Sequence, residues 1–454
     1  SREAGAAPSN LDPPTAADDN GVKRHGVVYT IAPSPLRADL IWAGTDDGYL
    51  WVTRDGGNHW TNVTPSAVTP WSKVGLIEAS HFESGTAYAA IDRHRLDDYK
   101  PYAYRTRDGG RTWTPIVRGI PDGSFVNVVR EDPKHRGLLY AGTEKGVYVS
   151  FNNGDDWQPL QLNLPITSIR DIAVHGDDVV VATHGRAFWI LDDVATLRQL
   201  ASDAPGNTTL FAPAVAYRVR PGNEEGTPLP IDEPQADNPA RGVYIDYYLG
   251  DAANGPVTLD VLDASGNAVR HWSSAQPPKP VDPKSISFLM HWVPANPVPA
   301  TTAGGHRFVW DFHRGSPDGV LVPPGRYTIR LGVNGKSYTK TAEVRRDPRA
   351  PASDAGLRAQ YALALKIDAL LHDVEAARQR AQKAHKPIAG KGPPDNPDDS
   401  VGSYSNDFTS LYYVDNALQT LQGAVESADA APTPAMQSAY RKLAAIARRA
   451  LAGL

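Results

Sequence analysis

"TRDGGNHWT" occupies residues 53–61, and "TRDGGRTWT" returns at residues 106–114. A looser third copy, "SFNNGDDW", covers residues 150–157. The shared pattern is S/T-x-D/N-x-G-x-x-W. It is carried by Thr53, Asp55, Gly57 and Trp60, then Thr106, Asp108, Gly110 and Trp113, then Ser150, Asn152, Gly154 and Trp157. The copies start 53 and 44 positions apart, the length of a four-stranded propeller blade. In such a turn the Asp side chain accepts hydrogen bonds from nearby backbone N–H groups and the hydroxyl, while Gly takes the positive φ. The Trp is expected to pack between neighbouring sheets. Asn152 keeps the acceptor without the charge, so these positions read as a structural clasp written once per blade.

Short β-rich runs surround each turn. The first unit runs "VVYTIAPSP", "LIWAGTDDG", "YLWVTRDGG" and "HWTNVTP", broken at Pro, Gly and Asp. Two similar units follow, and a partial one, "IRDIAVHG", "DVVVATHG", "RAFWILDD", stops near Leu200. Residues 25–200 are therefore expected to form about three and a half blades, after an extension over residues 1–24. The composition agrees, since 39 Gly and 39 Pro punctuate many short strands. A net charge of −5 argues against a nucleic-acid partner, which needs a basic face. The absence of Cys excludes disulfides and thiolate chemistry. No apolar run is long enough for a membrane span.

The repeat resembles the BNR or Asp-box propellers, whose members include sialidases, xyloglucanases and the head of sortilin. It is more closely similar to the carboxy-terminal part of large bacterial secreted sortilin-like or glycosyl-hydrolase-like BNR repeat proteins. The stretches that carry the likeness are "LIWAGTDDG", "VTRDGGNHWTNVTP", "RLDDYKPYAYRTRDGGRTW", "VVREDP", "LLYAGTEKGVYVSF", "WQPLQLNLP" and "VVVATHGRAFWILDD". It is strongest from Gly21 to Leu200. The resemblance implies a secreted or periplasmic protein. In that family the chain extends further at its amino end, so an amino-terminal propeller half or another protein chain is the expected partner.

Beyond Leu200 a Pro-rich connector, residues 201–241, contains "GNEEGTPLPIDEPQADNPA" and has little capacity to bury a core. Residues 242–350 read as a β-sandwich. Val257, Leu259 and Val261 alternate as in a half-buried strand, and Asn334-Gly335 between two alternating runs signals a hairpin. "FVWDF" and "VPPGRYTIRL" resemble the Ig-like domain of flagellar hook-cap proteins. Residues 351–454 turn helical. The stripes are Leu357, Tyr361, Ala364, Ile367, Leu371 and Val374; Leu411, Val414, Leu418, Leu421 and Val425; and Met436, Tyr440, Leu443, Ala447 and Leu451. Ser353 or Asp354 and Thr433 are the expected caps, and residues 386–400 read as a loop. The fold expected is thus mainly β: Asp-box propeller blades, an Ig-like β-sandwich and a C-terminal helical region.

If the clasp joins the third and fourth strands of each blade, the second-to-third strand loops lie at the opposite end. These are residues 45–48, 92–101, 143–146 and 183–186, joined there by the connections near Pro70–Ser72 and Pro121–Ser124. The richest is "DRHRLDDYK", which holds Asp92, Arg93, His94, Arg95, Asp97, Asp98 and Tyr99. With Asp46, Glu144, His184 and Arg186 it makes a candidate ligand-binding surface. Glycoside hydrolysis needs two carboxyl groups roughly 5–9.5 Å apart, and Asp47 with Asp97 or Asp98 is the candidate pair. There is no HExxH, P-loop, GxSxG elbow or EF-hand loop, and His81 in "HFESG" lacks zinc spacing. No metal or cofactor is expected. Three functions stay open: binding a protein, peptide or glycan, hydrolysing a glycan, and completing another chain's propeller as a scaffold.

Overall fold

Apolar residues alternate to both faces of the short strands in the first half of the chain, and each strand turns back on the one before it. The computed structural model describes residues 26–200, 206–220, 232, 238–287, 289–293, 296–383 and 411–452. The readings for residues 1–24 and 386–400 lie outside these. The chain divides into two compact units, Ser1–Ala204 and Pro205–Leu454.

In the first unit, blade 1 contains β1 (Val28–Pro33), β2 (Ile41–Thr45), β3 (Leu50–Thr53) and β4 (Thr61–Asn62). Blade 2 contains β5 (Lys73–Ala79), β6 (Ala87–Asp92), β7 (Ala103–Thr106) and β8 (Thr114–Pro115). Blade 3 contains β9 (Val126–Glu131), β10 (Leu139–Thr143), β11 (Val147–Ser150) and β12 (Gln158–Pro159). Blade 4 contains β13 (Ile169–His175), β14 (Asp178–Thr183) and β15 (Phe188–Leu191), then α1 (Ala195–Leu200). Each is an antiparallel meander with its strands in chain order, three of them four-stranded and the last three-stranded.

Consecutive blades share apolar cores. Trp42, Leu50 and Val52 meet Val74, Ile77 and Ile91 between blades 1 and 2. Tyr88, Ala90 and Ile116 meet Val126, Val129 and Trp157 between blades 2 and 3. Tyr140, Val147 and Val149 meet Ile169, Ile172 and Val181 between blades 3 and 4. An inner strand is covered on both faces, so β6 is buried at every position.

The repeated turns have one geometry. The Thr53, Thr106 and Ser150 hydroxyls donate to Asp55, Asp108 and Asn152 at 2.8, 3.0 and 3.0 Å. Each hydroxyl oxygen accepts the N–H of Gly57, Gly110 or Gly154 at 2.8–2.9 Å. The Asp or Asn oxygen accepts a second N–H, from His59, Thr112 or Asp156, at 2.9 Å. Those N–H donors hold Asp55 and Asp108 well below the ordinary carboxylate range, Asp108 at about 2. Gly110 sits at φ +88, and a Cβ there would come within 2.7 Å of the Val63 side chain.

The tryptophans differ. Trp113 donates from Nε1 to the Val63 carbonyl at 2.8 Å, and Trp157 to the Ile116 carbonyl at 2.9 Å, each on the preceding blade. Trp60 is 41% exposed and donates to Gly57 of its own turn at 3.1 Å. Packing between sheets thus fails at Trp60, because no sheet precedes blade 1 among the described residues. At the other end of the unit, Arg198 of α1 donates from Nε to both oxygens of the fully buried Asp132, at 3.0 and 2.9 Å, tying the helix to blade 3.

The second unit contains β16 (Thr209–Leu210), β17 (Ala216–Arg218), β18 (Val243–Leu249), β19 (Thr258–Leu262), β20 (Ala268–Ser273), β21 (Gly304–Trp310), β22 (Gly325–Val333) and β23 (Lys336–Arg346). They form sheets of order β16-β18-β21 and β17-β23-β22-β19-β20 around one apolar core. Asn334 and Gly335 make the tight turn from Val333 to Lys336, at φ 49 and 74. Residues 209–218, read from sequence as connector, carry two of these strands, and Leu210 and Arg218 are 2% and 1% exposed. The parallel pairing of β17 with β23 is made by a segment more than a hundred residues away, so no local pattern announces it.

Three helices complete this unit: α2 (Asp354–Lys383), α3 (Leu411–Glu426) and α4 (Pro434–Ala452). Their stripes form one apolar cluster through Ala364, Ile367, Val414, Leu418 and Ala447. The Ser353 and Thr433 hydroxyls accept the N–H groups of Gly356 and Met436 at 3.1 and 3.2 Å, as N-caps. The helices are fastened to the sheets by Arg218, which donates to Asp429 at 2.6 Å, to the Val322 carbonyl at 2.8 Å and to Gln360 at 3.3 Å. No helix among the described residues is long and apolar enough to cross a membrane.

Candidate functional site

The loops between second and third strands meet the connections that enter the following blades. Trp71, at φ 63, donates its N–H to the Asp47 carbonyl at 2.9 Å. The His94 ring stacks on Phe125, with centroids 5.0 Å apart and planes at 16°. The Ser168 hydroxyl donates to Glu144 at 2.6 Å. Three of the four loops also pair with the residue that leads into their own blade: Asp46 with Val27 at 3.1 Å, Glu144 with Phe125 at 3.0 Å and His184 with Ser168 at 2.8 Å, N–H to carbonyl. Loops and connections therefore lie together, opposite the clasps, which is the geometry a meander dictates.

The 93–102 loop between β6 and β7 is built around Asp92 and Asp98. Asp92 is 4% exposed and lies 2.6 Å from His94 Nδ1, and it accepts the His94 N–H at 3.0 Å. Asp98 accepts the Tyr102 hydroxyl at 2.8 Å and the Lys100 N–H at 3.2 Å, and lies 3.4 Å from Arg93 Nε. The Arg93 guanidinium lies 4.9 Å over the Tyr102 ring. Burial, and then the hydrogen bond to Asp98, push the Tyr102 hydroxyl up from its ordinary range. The turn His94–Leu96 ends at Asp97, which takes the left-handed conformation at φ 57 and is exposed. Arg95 and Tyr99 are exposed too, Tyr99 to 51%.

The carboxylates named from sequence have different surroundings. Asp47 is 1% exposed and accepts the Thr45 hydroxyl at 2.5 Å. Gly26 seals it, since a Cβ there would fall 2.1 Å from its carboxyl carbon. Asp98 is engaged by three neighbours, and Asp97 alone of the three faces solvent at a loop tip. Asp46 accepts the Val27 N–H at 2.7 Å. His184 and Arg186 are exposed, on a loop held by the Arg186 N–H to Thr183 at 3.0 Å and by Trp189 Nε1 to the Arg186 carbonyl at 2.8 Å.

Three residues of this end were not read from the sequence: Tyr102, Phe125 and Ser168. Phe125 directly follows the Pro121–Ser124 connection, so extending that connection by one residue would have found it. Ser168 carries no local signal, because its partner Glu144 is set by the blade-to-blade register, whereas Tyr102 bonds Asp98 only four residues away in its own loop.

No protein-family profile matches the chain. An oligoxyloglucan-reducing end-specific xyloglucanase of Emericella nidulans is 28% identical over 110 residues, 24% of this chain. The match spans only 13% of that protein's length. Among solved structures, YCF48 bound to D1 peptide is 13% identical with a TM-score of 0.30, covering 54% of this chain and 68% of that one. The GH74 enzyme of Niastella koreensis is 12% identical with a TM-score of 0.31, covering 70% and 46%. At these distances none of the likenesses assigns this chain a function.

Proposed function

We propose that this chain is a propeller binding protein of the cell exterior or periplasm, which holds a glycan or peptide on the loop end of its blades. The second unit, with an Ig-like module and helices, serves assembly. The observation that carries this reading is the division of the loop's polar groups. Asp92, Asp98 and Asp47 are occupied in holding the loops, whereas Tyr99 and Asp97 are exposed on a framework stiffened by the His94–Phe125 stack. A rigid scaffold presenting an exposed Tyr is a common make-up of an energetic centre in a binding surface.

The hydrolase reading needs two carboxyl groups open to one sugar. A sealed Asp47 favours binding over that chemistry. Xyloglucan oligosaccharides, suggested by the Emericella nidulans relative, and a peptide array are the first ligands to assay. Tyr99→Ala is expected to weaken a bound ligand about 30-fold, as loss of a ~2 kcal/mol contact does. Asp47→Asn, Asp97→Asn and Asp98→Asn should leave no catalytic defect to find. A glycan that the chain cleaves, and that one of these variants binds but no longer cleaves, would replace this reading with hydrolysis.

A further inference from the structure

The inner junctions between blades show what each repeat position touches. Strand three sends its first and third residues toward the following blade: Leu50 and Val52, Ala103 and Arg105, Val147 and Val149. None of these six is more than 8% exposed. In blade 4 the same positions are Phe188 and Ile190, exposed to 75% and 58%.

Strand one mirrors this on the other side. The bulge in each pairing of strands one and two fixes the register and aligns Val74 and Ile77 with Val126 and Val129 and with Ile169 and Ile172. All six face the preceding blade and are at most 2% exposed. Their counterparts in blade 1 are Val28 and Ile31, exposed to 58% and 65%. A repeat that ends an array in water carries a polar outer face. Both ends of this array are apolar, so they are built to be covered.

Trp60 narrows the choice of cover. Trp113 and Trp157 donate to carbonyls just beyond β4 and β8, the fourth strands of the preceding blades. Among the described residues blade 4 has three strands and runs on into α1, so the described residues of a second copy's blade 4 present no such carbonyl. We propose that both end faces dock further blades of this same repeat type, and that the blade seated on blade 1 ends in a fourth strand whose carbonyl takes the Trp60 Nε1–H. The partner is a polypeptide that carries S/T-x-D-x-G-x-x-W turns and apolar residues at these strand-one and strand-three positions. This concerns assembly and stands or falls independently of any ligand on the loop end.

The chain has no Cys, so Ile31→Cys and Ile190→Cys each place a single thiol on one face. The probe is a second copy of residues 26–167 joined ahead of Gly26, which supplies three four-stranded blades. With the four already present it makes a ring within the usual range of about 4–8. In the chain alone both thiols should label rapidly, and light scattering should give a single-chain mass. In the extended chain both, read in the original copy, should label at least about tenfold more slowly, equivalent to ~1.4 kcal/mol of docking. Labelling unchanged at either site overturns the proposal for that face. A dimer of the unextended chain with both thiols protected overturns it in favour of a second copy. If the extended chain does not fold, a photo-cross-linker at residue 190 is used in cells that make the protein. Capture of a polypeptide bearing these repeats supports the proposal, and capture of one without them overturns it.

Discussion

Replacing the repeated tryptophan by alanine, one blade at a time, separates a clasp from an anchor. Trp157 is 4% exposed, lies in the core between blades 2 and 3, and donates to the Ile116 carbonyl. Its removal leaves a large cavity and an unpaired carbonyl, and should cost about 3–5 kcal/mol. Trp113 is half-buried, with its ring edge-on to Trp42 at 6.0 Å and its N–H on Val63. It loses less buried area and should cost about 2 kcal/mol. Trp60 is 41% exposed and bonds only within its own turn, so Trp60→Ala should cost about 1 kcal/mol or less. Because the chain has two compact units, a single melt mixes their transitions. Amide hydrogen exchange in β6 and β10 reads the first unit by itself. A Trp60→Ala cost equal to that of Trp157→Ala would show that Trp60 is already covered in the isolated chain. A Trp157→Ala cost near 1 kcal/mol would refute the interblade anchor itself.

Other variants carry equally definite expectations. Gly57 and Gly110 share a positive φ, but a Cβ on Gly57 meets nothing within 4 Å, whereas on Gly110 it strikes Val63. Gly57→Ala should therefore cost roughly 1–2 kcal/mol of backbone strain, and Gly110→Ala about 1–3 kcal/mol more, as read from the same amide exchange in β6 and β10. Asp429→Ala removes the carboxylate from the buried Arg218 and should destabilise the second unit by about 3–5 kcal/mol, as read from amide exchange in β22 and β23. Asp108 is held at about 2 in the folded turn against an ordinary 3.8, so the unfolded chain binds its proton first as pH falls. Its stabilisation is complete above about pH 4 and fades toward pH 2. Asp108→Asn should flatten the acid limb of a stability profile measured across that window, as the uncharged Asn152 turn already does for its own blade.

The blades were legible because the turn chemistry is local. Thr53, Asp55 and Gly57 lie within five residues of one another, and their hydrogen bonds close within that stretch whatever the strands around it do. The helices were legible for the same reason, since a 3.6-residue stripe shows which face is buried. What escaped depends on contacts distant in sequence. "AGTDDG" reads as an open turn, yet Asp47 is closed over by Gly26 from the start of the same blade. Asp98 is the exception, held by Tyr102 and Arg93 of its own loop, contacts near in sequence whose geometry the irregular 93–102 backbone decides. Trp60 and Trp157 occupy one repeat position with opposite exposures, because exposure depends on whether a neighbouring blade is present.

Equivalent positions of this one repeat have inequivalent surroundings. Thiol labelling of the chain with a single Cys at residue 31, 77, 129 or 172 tests this most directly, since these four take the same place in strand one of successive blades. Ile31→Cys should react at the rate of a free thiol, while Ile77→Cys, Val129→Cys and Ile172→Cys should be protected until the unit unfolds. Protection at all four would mean that the first blade is already covered. Ready labelling at all four would mean that the sheets do not stack as blades.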